Sequence, residues 1–167
     1  LRKIKRIQIK KSAEPERLLE DNKQMKLLNP FTIEEIQQTA LLNDKAKLWA
    51  IDNLTYLNAP MKLFGKSMKT IKGDKKLETH ILYLQPADKV AVKTLCPFAS
   101  VSGCKEPCLI DSGQLGMTSG QNAATKRTIL FLLRPAEFKA ALLKEIDVKE
   151  KRAIKTNIPA YHCSPAR

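Results

Sequence analysis

Apolar residues recur along the chain at intervals that alternate between the helical and the extended period, and their order predicts a mixed α/β (or α+β) fold. After Pro15, Leu18, Leu19, Met25 and Leu28 fall near one face of a helix that Asn29-Pro30 ends. Thr32 with Glu35 has capping-box spacing, and Ile33, Ile36, Ala40 and Leu41 predict a second helix over 33–47. From Leu48 the residues Trp49, Ile51, Leu54, Tyr56 and Leu57 favour extended structure, and Asp52-Asn53 interrupts them as a hairpin turn would. Residues 65–76, basic and carrying two glycines, read as an exposed loop. Thr79 to Leu84 predicts an interior strand, and Val90 to Leu95 a further one. Helices follow over 119–133 and, with Pro135 in its first turn and a Phe138, Leu142, Ile146 stripe, from 135 towards Ala153. A last strand is expected at Ile158 to Cys163. Strand, loop, helix, strand is the order of a parallel unit whose ligands collect at the strands' carboxyl ends.

Composition narrows the class. The 167 residues are 43% apolar, enough for a real core, and no apolar run approaches the roughly 18 residues that cross a bilayer. Lys and Arg number 30 against 17 Asp and Glu, a formal charge of +13. The chain opens at Leu1 with no succession resembling a secretion signal, so the cytoplasm is the expected compartment. Two regions are expected: 1–47, a basic arm with helices, and 48–167, an α/β region.

The sharpest signal is chemical. Cys96, Cys104 and Cys108 lie within thirteen positions in the pattern C-x7-C-x3-C, in a loop leaving the sheet, with Gly103, Pro97 and Pro107 to bend it. Thiolates are soft donors and select zinc or an iron-sulfur cluster over magnesium or calcium. A structural zinc wants four ligands, so that reading recruits His162 or Cys163 from downstream. A four-iron cluster (4Fe-4S) held by three cysteines leaves one iron open, as in enzymes that bind S-adenosylmethionine there. Two alternatives stay open: a redox pair of Cys104 with Cys108, and thiols buried as small apolar groups. His80, inside a strand, reads as a core histidine.

These residues resemble a known family. Thr79 to Ala87, Cys96-Pro-Phe-Ala-Ser, Gly103-Cys104, Cys108-Leu109, Ser112-Gly113 and Lys126-Arg-Thr128, with Phe131 and Phe138, are similar to the bacteriophage gene product eighty-eight family over about residues 79–147. The resemblance implies a partial βα-barrel carrying a cluster akin to those of radical enzymes, in a protein of the phage-infected host cytoplasm. Ala124 stands where members often carry an arginine, and Tyr161 to Arg167 replaces the family's following segment.

Charge implies a second class of partner. Lysines concentrate in 2–11, 62–76 and 139–155, which favours non-specific, salt-sensitive contact with nucleic-acid phosphates. Aromatics are not interleaved with them, so no base-stacking platform is expected. Gly113 and Gly116 open a helix whose exposed amides could hold an anion such as a cofactor group, but a tight turn explains these two glycines better, and no phosphate-loop sequence is present. Neither a Ser/His/Asp arrangement nor a paired catalytic carboxylate stands out, which leaves hydrolase chemistry without support.

Overall fold

The computed structural model describes residues 25–65, 78–86, 88–104, 108, 111, 113–156 and 160–163. Its elements are α1 (Ile33–Gln38), α2 (Asp44–Asp52), α3 (Leu54–Asn58), β1 (Phe64–Gly65), β2 (Glu78–Leu82), a 3-10 turn (Gly113–Gly116), α4 (Thr118–Leu133), α5 (Pro135–Thr156) and β3 (Ala160–Cys163). Helices dominate and pack with a three-stranded sheet in the order β1-β2-β3, an α+β arrangement.

The expected second helix begins where the capping spacing puts it, with Thr32 Oγ1 accepting from Glu35 N at 3.2 Å. It does not run to 47. Thr39 Oγ1 takes the Leu41 amide at 3.2 Å and Asn43 Oδ1 takes that of Ala46 at 2.9 Å, so side-chain oxygens compete with the helical ladder and split the segment into α1 and α2. The expected hairpin over 48–57 is corrected as well: α2 continues through Asp52 and α3 follows. Ala46, Ala50 and Leu57 are the positions that reach the core, and their spacing is helical despite the β-favouring residues between them. Asn53 closes α2 by donating Nδ2 to Trp49 O at 2.8 Å, the role assigned above to a hairpin turn.

At the first described residues, Met25 pairs with Met61 as an antiparallel bridge and Leu28 and Asn29 form a bend, so the described end of the expected helix over 15–28 is extended. The rest of that helix, the basic arm and residues 66–76 of the expected loop lie outside the described residues.

The strand around Thr79 is interior as expected: β2 pairs antiparallel with β1 (Phe64↔Leu82) and parallel with β3 (His80↔His162, Ile81↔Cys163). His80 and Leu82 are buried while Thr79 and Ile81 are half-buried, the alternation of a strand with one covered face. His80 lies 6.1 Å from the Phe64 ring, within the core. A strand over 90–95 does not form. Val90 and Ala91 are buried, Val92 is exposed, and only the single bridge Leu42↔Ala91 remains before the chain bends away. Parallel strands need a long crossover, and here the cysteine loop, α4 and α5 supply it between β2 and β3.

One apolar cluster joins these elements, with Phe31, Ile36, Leu42, Leu57, Leu63, Leu82, Ile129, Leu130 and Phe138 among its members, from both sides of position 47. Charged side chains fasten its rim. Arg134, between α4 and α5, donates to both carboxylate oxygens of Glu35 (3.0 and 2.8 Å) and to Glu137 (3.0 Å) over the Phe31 ring. Glu145 of α5 accepts from the successive amides of Leu63 (2.7 Å) and Phe64 (3.1 Å), which fixes β1. Lys126, buried on α4, donates to the carbonyls of Tyr56 and Ala59 (2.6 Å to the latter) and caps α3.

Candidate metal centre in the cysteine loop

The cysteine loop grows from a polar joint at the end of β2. Gln85 is buried, with its amide N donating to Thr128 Oγ1 at 2.8 Å and Nε2 reaching Gln121 O (3.1 Å), Gln121 Oε1 (2.8 Å) and Thr125 Oγ1 (3.1 Å). Thr128 in turn donates to Ala124 O at 2.8 Å. The bonds to Nε2 fix this side chain against α4, although its Oε1 is buried with no hydrogen-bond partner among the described residues.

Two stems carry the loop. The upstream one is pinned to the α1–α2 link, where Asn43 Nδ2 donates to Asp88 O at 2.7 Å, Asn43 N to Val90 O at 3.0 Å, and Val92 N to Leu41 O at 3.0 Å. The downstream one ends at Asp111, whose amide meets Cys108 O at 3.4 Å and whose Oδ1 accepts from Gln121 Nε2 at 3.4 Å. Lys89 of the first stem is ion-paired with Asp111 of the second.

Between the stems the first thiol is set in a small turn. Thr94 Oγ1 receives the Cys96 amide at 3.1 Å and donates to Cys96 O at 3.2 Å, while Ala99 N donates to that same carbonyl at 3.0 Å. Ala99 is buried and anchors the turn, leaving Phe98 and Val101 at 75% and 86% exposure. Gly103 has φ +65°, a left-handed conformation that reverses the chain into Cys104. Cys104 is exposed with its Sγ 3.1 Å from Ser102 Oγ, and Cys96 and Cys108 are half-buried. None of these three cysteines is in a disulfide. Among the described residues no group of three or more His, Cys, Asp or Glu is gathered closely enough to hold a metal ion. The three thiols thus lie on one anchored loop but are not gathered at one point among the described residues.

His162 and Cys163 lie in β3 beside His80 and Ile81 of β2. Gly113 and Gly116 bound the 3-10 turn ahead of α4. Gly113 has φ +58°, and a Cβ on Gly116 would stand 2.6 Å from Asp111 O, so the turn's own geometry requires both. Of the basic stretch 139–155, Lys139, Lys144, Lys151 and Lys155 are exposed along α5 in company with Asp147 and Glu150, and Lys151 sits 3.9 Å from Asp147. No described helix is long and apolar enough to cross a membrane.

Gln85, Lys89, Asp111 and Gln121 carry the loop's mounting and escape sequence reasoning, because the pairing of Lys89 with Asp111 spans 22 positions. The only signal was local: a glutamine closing the apolar run before Pro86. Comparison of the chain with protein-family models, with curated proteins and with solved structures finds no match.

Proposed function

We propose that the chain is a metal-binding protein whose Cys96, Cys104 and Cys108 hold an iron-sulfur cluster of the 4Fe-4S type. The observation that carries this reading is the mounting of three thiols, none of them in a disulfide, on a single loop whose two stems are fixed to the helical core. The free energy of metal binding is available to order its ligands, so thiolates that are not gathered beforehand can be drawn together as the metal binds. Three protein ligands would leave one iron for an exogenous group, and S-adenosylmethionine is the cofactor suited to that position. The partial βα-barrel belongs to the same proposal; the parallel pair β2 and β3, joined through α4 and α5, supports it as the minimal unit of such a sheet.

The test is anaerobic reconstitution with iron and sulfide, with both elements counted. Replacing Cys104 with Ala is expected to abolish uptake, since the middle thiolate has no neighbour to substitute for it. Cys96→Ala and Cys108→Ala are expected to do the same. Unchanged iron in the Cys104 variant overturns the assignment, and a colourless protein with stoichiometric zinc replaces the cluster by a structural site completed by His162 or Cys163.

A further inference from the structure

We propose that the Lys89–Asp111 ion pair is a latch that sets the separation of the two stems of the cysteine loop, with Gln121 and Gly116 positioning its acidic half. The latch matters to function through the metal site proposed above, but its operation is a property of the loop alone.

The geometry follows from where each stem is mounted. The upstream stem, Asp88 to Val92, is held along the α1–α2 link by backbone bonds to Leu41 and Asn43. The downstream stem is held through Asp111, which receives Gln121 Nε2 from the first turns of α4 and has its carbonyl pressed against the backbone at Gly116. Gln121 is itself gripped by the buried Gln85 at 2.8 Å. Each stem therefore rests on a different part of the core, and the Lys89–Asp111 pair bridges the gap between them. Cys96 follows the upstream stem by a few residues and Cys108 is tied to the downstream one by the Asp111 amide on its carbonyl at 3.4 Å, so each half-buried thiol is attached to one stem; Cys104 is exposed. Both charged groups are partly exposed, which makes the pair responsive to ionic strength. Closing the latch brings the half-buried thiols to a fixed spacing, and opening it releases them to solvent.

The experiment is alkylation of reduced, metal-free protein by iodoacetamide, with each cysteine followed separately by peptide mass spectrometry. In the wild type Cys104 is expected to react first. Asp111→Asn and Lys89→Met are expected to raise the rates at Cys96 and Cys108 by about two- to fivefold, the range an exposed ion pair corresponds to, and to leave Cys104 unchanged. Gly116→Ala, which places a methyl against Asp111 O, is expected to act in the same direction. Added salt is expected to raise the same two rates in the wild type but not in the Lys89 variant. Equal rates at Cys96 and Cys108 in the wild type and both charge variants overturn the latch. So does a rise at all three cysteines that tracks a lowered melting temperature, since that reports general loosening. Because the readout needs no metal, failure to bind iron would remove the cluster reading and leave this result standing.

Discussion

Two ion-paired junctions in this protein use the same chemistry to different ends. At the α4–α5 corner, Arg134 makes three hydrogen bonds to Glu35 and Glu137 over the face of Phe31, with its side chain largely covered. At the neck of the cysteine loop, Lys89 meets Asp111 with both side chains partly open to water. The first is planar and bidentate and the less exposed of the two, hence the less screened by salt; the second joins a point-like ammonium to a carboxylate nearer to water. The contrast teaches that charge at the corner holds the fold, whereas charge at the neck biases a loop that the core already supports on both sides.

The comparison breaks most visibly if the corner is dispensable. Arg134→Met leaves two partly buried carboxylates without their guanidinium and is expected to lower unfolding stability by about 1–3 kcal/mol in a urea titration. A loss below that of Asp111→Asn would invert the ranking of the two junctions.

A third cation sharpens the scale. Burial, assisted by the neighbouring Arg127, pushes the Lys126 ammonium down to about 8. Between that value and the ordinary 10.5 of a lysine, the unfolded chain holds a proton that the folded one has released. Stability contributed at this position therefore rises with pH across that window. The stability difference between the wild type and Lys126→Met is expected to widen in the wild type's favour from pH 8 towards pH 10, measured by denaturant midpoints at each pH. A difference that stays flat or narrows would contradict the assignment of Lys126 as a strongly desolvated cap.

The smallest effect is expected at the neck. Asp111→Asn should cost under about 1 kcal/mol of global stability, as exposed ion pairs do, while its consequence is read in thiol reactivity instead. A large drop in stability there would make the pair a structural fastening like Arg134.

Much of the architecture was legible where side-chain pattern and backbone preference agree. Thr32 with Glu35 marked the start of α1, Pro135 the start of α5, and the run around Thr79 an interior strand. The pattern misled where tertiary packing chose differently. Trp49, Ile51 and Tyr56 favour strands, but the small residues Ala46 and Ala50 let that segment pack as helix against the core, and propensity yielded to burial. Val90 to Leu95 lacks a partner strand beyond the single Leu42↔Ala91 bridge and could not become one. The cysteines themselves were readable from spacing, since chemistry is local in the sequence. Their mounting was not, because Gln85, Lys89, Asp111 and Gln121 meet only through the fold.

The most direct measurement is the iron and acid-labile sulfide content of anaerobically purified, reconstituted protein, taken with its visible absorption. A brown protein with close to four irons and four sulfides per chain is expected, both lost when any one of Cys96, Cys104 and Cys108 is replaced. A colourless chain that takes up neither iron nor sulfide under the same conditions, or one whose iron survives those replacements, would contradict the cluster assignment.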